Sequence, residues 1–119
     1  MTDKSTDPHC LFCKIVAEKV PAEVVASNDK AIAFRDLNPQ APTHVLVIPK
    51  RVIPRLSAAT EDDAGTLGHL LVVAGKIAAE RGLSGGFRTV INCGPDAGET
   101  VPHLHVHLLG GRKLGWPPG

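Results

Sequence analysis

Polar and apolar positions alternate most regularly near the C-terminus of the chain. Histidine stands at every second position from His103 to His107, and leucine or valine fills the positions between them and the two that follow. This period of two is typical of a β-strand, whose successive side chains point to opposite faces. We therefore predict a strand over residues 103–109, with an apolar face toward the core and three imidazoles spaced by roughly 6.6 Å on the other face. A helix would spread the three around its axis.

Shorter apolar segments predict the rest of the sheet. Runs rich in valine, isoleucine and alanine, bounded by asparagine, aspartate, glycine or proline, are typical of strands. These runs cover residues 24–27, 31–36, 44–49 and 87–92. Two prolines keep the loop 37–42 extended. The glycine- and proline-rich turn 93–98 joins the fourth run to the histidine strand, so we expect these two strands to lie side by side.

A helical period governs the segment between the third and fourth strands. Thr60 followed by three acidic residues is typical of a helix start, and Gly82 ends the pattern after about Arg81. Its apolar stripe consists of Leu67, Leu71, Ala74 and Ala78, widened by Leu70, Val73 and Ile77. A short helix is predicted from Cys10 to about Glu18. The fold class is therefore α+β: a mostly antiparallel sheet of about five strands with one long helix and a short N-terminal helix.

Composition bounds the class of protein. The 119 residues predict a loose tail over 1–8 and a single domain over 9–119, and 43% hydrophobic residues suffice for a core. A net charge of +1 without a basic patch argues against a nucleic-acid partner. Neither a membrane-spanning apolar run nor a signal peptide is evident, so we expect a cytoplasmic protein without a membrane partner. Three cysteines in such a chain argue against a disulfide framework.

The row of histidines predicts a chemical site. Imidazole titrates near neutral pH, and it can act as a nucleophile, a general acid or base, or a metal ligand. The alternatives are a histidine-rich exposed face or the remnant of a purification tag, but a tag has consecutive histidines. The neighbouring loop 94–100 offers backbone N–H groups and the Thr100 hydroxyl, which suit phosphate oxygens. Together they indicate a phosphoryl site.

Cys10 and Cys13 form a Cys-x-x-Cys motif with three open interpretations. The motif is a redox pair, half of a metal site, or two small buried residues. A redox pair usually follows a strand, and none is predicted before it. A zinc site needs two more ligands, for which His44 and His103 are the candidates, with His9 as a substitute.

Several motifs resemble one family. They are His103-x-His105-x-His107, the segment from Asp36 to His44, Leu46-Val47-Ile48-Pro49-Lys50, and the closing Trp116-Pro117-Pro118-Gly119. From about Cys10 to Gly119 the chain resembles the Hint branch of the histidine triad (HIT) superfamily. The resemblance implies a HIT-like fold and hydrolysis of purine nucleoside 5′-phosphoramidates through a nucleotidyl-histidine. It also implies a homodimer in which C-terminal residues such as Trp116 and Pro117 reach toward the partner's site.

The resemblance assigns roles residue by residue. His105 matches the nucleophile, and His107 matches the histidine that contacts the phosphate and assists the leaving group. His103 and His44 match supporting histidines, and Asp36 matches the carboxylate that receives the ribose hydroxyls. The apolar walls around the base are Phe12, Ile15, Val20, Phe34 and Leu37, and the phosphate-side contacts are Asn92, Gly98, Glu99 and Thr100. Some branches also bind a structural zinc, here through Cys10, Cys13, His44 and His103, but the reaction needs no catalytic metal.

Glu99 departs from the family pattern, which usually has glutamine there. An acid beside the phosphate repels it unless its side chain points away or pairs with a base. Other functions also remain open: a dinucleoside polyphosphate hydrolase, a nucleotidyl transferase, a nucleotide-binding module with little turnover, or a zinc-stabilised interaction protein. The preference between adenine and guanine is open as well.

Overall fold

The computed structural model describes residues 10–119, which form a five-stranded antiparallel sheet with a helix against each face. The helices are α1 (Leu11–Val16) and α2 (Ala64–Glu80), and the strands are β1 (Val24–Ser27), β2 (Ala31–Arg35), β3 (Thr43–Pro49), β4 (Phe87–Val90) and β5 (Val106–Gly110). The strand order is β1-β2-β3-β5-β4. This architecture confirms the predicted fold class. The predicted tail over 1–8 lies outside the described residues, as does His9.

β3 lies at the centre of the sheet, and its side chains alternate between two apolar clusters. Val47 belongs to the cluster around α2, and Leu46 belongs to the cluster around α1. The register of β5 places Val106 opposite Val47 and His107 opposite Leu46. Directly paired residues share a face of the sheet. His107 therefore lies on the face that carries α1.

α2 is the long helix predicted from the helical period, and a 3₁₀ turn over Glu61–Asp63 precedes it. The N–H of Thr60 donates to Oδ2 of Asp63 at 2.9 Å, and Gly82 ends the helix with a φ of 71°. The buried residues of the helix are Leu70, Ala74, Ile77 and Ala78. Leu71, which was predicted in the stripe, is 49% exposed because it lies beyond the edge of this face.

The histidine strand begins later than predicted. Pro102 lacks an amide hydrogen, the chain bends over 101–103, and the N–H of Leu104 donates to the carbonyl of Ile53 instead of a neighbouring strand. Of the three histidines only His107 lies in β5. The rings of the other two still lie beside Phe12 of α1, with centroid distances of 6.3 and 5.0 Å.

Other elements are also shorter than predicted, and β2 ends at Arg35, one residue before the predicted end. α1 ends at Val16, two residues before Glu18, whose φ of 60° is incompatible with a continued helix. β4 ends at Val90 as the chain enters the turn toward β5. Within residues 10–119, none of the helices has the length and apolar character needed to cross a membrane.

Candidate active site

His105 is the middle histidine, and it is held in one tautomer. Its Nδ1 lies 2.9 Å from the carbonyl oxygen of His103. A carbonyl can only accept a hydrogen bond, so Nδ1 carries the hydrogen and Nε2 keeps its lone pair. The side chain is buried at 6% exposure, with the rings of Phe12 and His107 each at 5.0 Å. The nitrogen of this ring without a hydrogen is therefore Nε2, the one that faces away from the His103 carbonyl.

His107 and His44 lie on neighbouring strands and share a hydrogen bond. Nδ1 of His44 accepts the backbone N–H of Gln40 at 3.0 Å, so a neutral His44 carries its hydrogen on Nε2. That Nε2 lies 2.9 Å from Nδ1 of His107 and donates to it, which leaves the hydrogen of His107 on Nε2. Oδ2 of Asp36 lies 3.4 Å from the same His44 nitrogen. One backbone amide thus sets the tautomers of both rings.

Burial controls the protonation of this pair. Desolvation lowers the pKa of His44, and the Asp36 carboxylate partly opposes this effect. Desolvation also lowers the pKa of His107, to about 4, with repulsion from His105 and His44 acting in the same direction. Both imidazoles are therefore neutral at pH 7, in agreement with the tautomers that their hydrogen bonds require.

His103 lies in a different environment at 0% exposure. Its Nε2 donates to the carbonyl of Pro49 at 2.8 Å, so the lone pair is on Nδ1. That nitrogen lies 3.3 Å from Sγ of Cys13 and 3.7 Å from Sγ of Cys10. Burial lowers the pKa of His103 and keeps this lone pair available.

The group of Cys10, Cys13 and His103 could hold a metal ion, because all three ligand atoms converge. A histidine whose other nitrogen donates to a carbonyl is a typical zinc ligand. The two sulfurs are, however, bonded to each other in this structure, contrary to the expectation from the sequence. A disulfide and a pair of metal-bound thiolates exclude one another, so metal binding by this group requires the disulfide to be reduced.

His44 was predicted as the fourth zinc ligand, and the structure corrects that assignment. His44 lies at the opposite end of β3 from Pro49, roughly 16 Å along the strand from the carbonyl that holds His103. Its ring nitrogens bind Gln40 and His107 instead.

An apolar cavity of about 160 Å³ opens between α1 and β2. Its lining residues are Leu11, Phe12, Ile15, Val20, Pro21, Ala22, Phe34, Arg35, Asp36, Leu37 and Leu46. The rings of Phe12 and Phe34 meet edge to face at 5.5 Å. All five predicted wall residues are in this lining, next to the predicted ribose-binding carboxylate. The Phe12 ring lines the cavity and also lies 5.0 Å from the His105 ring, so the cavity and His105 are adjacent.

Loop 94–100 is closed by its own polar groups. Asn92 donates through Nδ2 to the carbonyl of Ala97 at 2.7 Å, and Gly98 has a left-handed φ of 80°. Thr100 is exposed. Oε1 of Glu99 accepts the backbone N–H of Gly94 at 3.1 Å. The loop thus has a defined shape, and its acid is turned toward protein partners.

Arg55 is the neighbour of the site that the sequence analysis missed. Its Nε and Nη2 donate to the carboxylate of Glu99 at 3.0 and 3.1 Å. The two residues are 44 positions apart, so no local spacing connects them. The available signal was Glu99 itself, since an acid in a loop suited to anions requires a compensating cation.

Comparison with known proteins gives a consistent result. The family model of the HIT domain matches residues 17–114. An uncharacterized HIT-like protein of Synechococcus elongatus is 55% identical over 109 residues, which are 92% of this chain and 96% of that protein. The crystal structure of a HIT family hydrolase from Legionella pneumophila is similar with a TM-score of 0.92 and 46% identity, covering 93% of this chain and 100% of that one. A histidine triad nucleotide-binding protein from Candida albicans gives a TM-score of 0.77 at 30% identity, over 91% and 82% of the two chains.

Proposed function

This chain belongs to the HIT domain family, and we propose that it hydrolyses purine nucleoside 5′-phosphoramidates through a nucleotidyl-histidine on His105. The observation that carries this proposal is the tautomer of His105. The hydrogen bond from Nδ1 to the carbonyl of His103 leaves a lone pair on Nε2, as nucleophilic attack requires. The ring is beside both the apolar cavity and His107.

The surroundings of His105 support a nucleotide as the substrate. The aromatic and aliphatic cavity suits a purine base, and the adjacent Asp36 suits the ribose hydroxyls. Loop 94–100 and the Nε2–H group of His107 suit the phosphoryl oxygens. We propose that the cavity receives the base, Asp36 the sugar and loop 94–100 the phosphate.

The reaction has two displacements at phosphorus. Nε2 of His105 bonds to phosphorus while the bond from phosphorus to the amine nitrogen breaks, and the departing nitrogen takes one proton from His107. That proton enters the group of Asp36, His44 and His107 when the anionic phosphoryl group binds, because an anion raises the pKa of a nearby imidazole. Water then attacks phosphorus, the bond to Nε2 breaks, and the proton of the water returns to the group.

The test compares the wild type with His105→Ala on a fluorogenic adenosine 5′-phosphoramidate. We expect a loss of about 10³-fold or more in turnover, with AMP still bound. His69→Ala is the matched control, because His69 is on α2 and its ring forms a hydrogen bond with Asn28, away from the reactive histidine row. A wild type that binds AMP without turnover would support the binding-module alternative. Faster turnover of a dinucleoside polyphosphate would change the substrate class.

We also propose that, once reduced, Cys10, Cys13 and His103 supply three of the four ligands of a zinc ion. The ligand types and the free Nδ1 lone pair support this. Zinc would tie the start of α1 to the histidine segment. To test zinc binding, the metal content of the protein is measured after reduction and zinc addition and compared with that of an oxidised sample.

A homodimer is the third part of the proposal, as the resemblance implies. β4 is an edge strand of the described sheet, and its Phe87 is 47% exposed. Trp116 is 82% exposed, with the Arg88 guanidinium 6.0 Å from its ring centroid. An open strand edge with exposed apolar side chains favours association. Light scattering of the full chain measures the oligomeric state.

A further inference from the structure

The connector 53–57 is bound at both ends to parts of the candidate site. At its start, the carbonyl of Ile53 accepts the N–H of Leu104 at 2.7 Å, next to the histidines. At its end, the thiol of Cys93 lies 3.4 Å from the hydroxyl of Ser57, where the chain enters loop 94–100. The connector therefore forms hydrogen bonds with both the histidine segment and the start of the loop.

Arg55 lies in the middle of this connector, and its guanidinium binds Glu99 through two nitrogens. Glu99 also accepts the N–H of Gly94, so one carboxylate joins the connector to both ends of the loop. The side chain of Glu99 is only 13% exposed, and that of Arg55 is 38% exposed. A two-point, charge-assisted pair of this kind is stronger than a typical surface ion pair.

The charge of Glu99 matters because of what lies next to it. The pairing with Arg55 lowers the pKa of Glu99, with His105 nearby acting in the same direction, so the carboxylate stays ionised. Without Arg55, a full negative charge would stand beside the place where an anionic phosphoryl group must bind. Repulsion between two unit charges a few ångströms apart is enough to weaken binding several-fold.

We propose that Arg55 is a positioning residue that makes loop 94–100 competent to receive an anionic phosphoryl group. It does so by neutralising Glu99 and by holding that carboxylate against Gly94. This inference rests on the proposed function, since it assigns loop 94–100 to the phosphoryl end of a nucleotide. It also explains how this chain carries an acid where the family usually has glutamine.

The experiment measures the dissociation constants of AMP and of adenosine by calorimetry. We expect Arg55→Met to weaken AMP binding by about 10-fold and adenosine binding by less than twofold. Glu99→Gln removes the charge while its amide oxygen can still accept the N–H of Gly94. The double variant should therefore return to within about threefold of the wild type for AMP. If Arg55→Met does not fold, Arg55→Lys keeps the charge and should stay within about threefold of the wild type.

The control is Arg51→Met, which breaks a comparable ion pair with Asp63 at the start of α2. It should leave AMP binding unchanged. Equal losses for AMP and adenosine would reduce Arg55 to a structural residue and overturn the proposal, as would the absence of any loss. Failure of Glu99→Gln to rescue would show that Arg55 contacts the phosphate itself, which also overturns it. A wild type that does not bind AMP at all would instead overturn the proposed function and this inference together.

Discussion

His103 and His107 are the outer members of one histidine row, and they have opposite surroundings. His103 is fully buried between a backbone carbonyl and two sulfurs. His107 is half-buried, and its hydrogen-bond partner is His44. The ring of His44 also accepts the backbone N–H of Gln40 and lies beside the carboxylate of Asp36. Both rings lie on the side of the sheet that carries α1. Their different roles come from what β3 and α1 place opposite each ring.

Under the proposed function, this contrast gives His107 a chemical role and His103 a role in stability. The ring of His107 presents an Nε2–H group beside His105, where we propose that a substrate reacts. The ring of His103 presents its lone pair to cysteine sulfurs in a dry interior. Each of the following predictions measures one side of the contrast.

The largest effect is expected on turnover. His107→Ala should lower the turnover of an alkylamine phosphoramidate by about 10²- to 10⁴-fold, because the departing amine loses its proton donor. An AMP ester of p-nitrophenol, whose leaving group needs no proton, should lose much less. Steady-state kinetics of both substrates measure the difference. Equal losses of turnover for the two leaving groups would show that His107 is not the general acid.

His103→Ala is expected to affect mainly the folded state. Removing this ring leaves the Pro49 carbonyl without its donor and opens a buried void, so the free energy of unfolding should fall by about 2 to 4 kcal/mol. His107→Ala should lower it by about 1 kcal/mol or less. Urea denaturation measures both. A larger loss from His107→Ala would reverse the assignment.

Acid should weaken the fold through the neutral histidines. An unfolded histidine has a pKa near 6.5, whereas burial holds the pKa of His107 at about 4, so the unfolded chain binds more protons between these values. The free energy of unfolding should therefore fall as the pH drops from about 6.5 to 4, by up to about 1.4 kcal/mol per pH unit from this residue. His107→Asn should make the slope shallower. An unchanged slope would contradict the low pKa.

The smallest effect is proton uptake when AMP binds. At pH 5.5 the free protein has a neutral His107, and the bound phosphate should raise its pKa enough for uptake of about half a proton or more. Calorimetry in buffers with different ionisation enthalpies gives this number. The uptake should disappear in His107→Asn and persist in His69→Ala. Binding without proton exchange would require another source for the proton of the leaving amine.

The sequence predicted the features that follow from local periodicity. The alternation around His105 predicted the face of the sheet, and the helical stripe predicted α2. The start of β5 was wrong because a long-range hydrogen bond from Leu104 to Ile53 replaces a strand pairing. Local spacing carries no information about such a bond.

Site residues that belong to the family motifs could be predicted from the sequence, and contacts outside those motifs could not. The apolar cavity wall was assigned from the resemblance, and the structure brings those residues together. The ion pair of Arg55 with Glu99 joins segments that are distant in the sequence. His44 is not in the cysteine group because it lies at the end of β3 opposite Pro49, whose carbonyl binds His103. Both depend on three-dimensional position.

The central position of β3 has a consequence for changes in chain length. One end of this strand supplies His44 to the reactive histidines, and the other end supplies the Pro49 carbonyl to the buried histidine. Deleting or inserting a single residue within β3 would shift one end against the other and invert the side chains between them. The arrangement of the candidate active site and the packing of the core therefore depend on the same seven-residue length of β3.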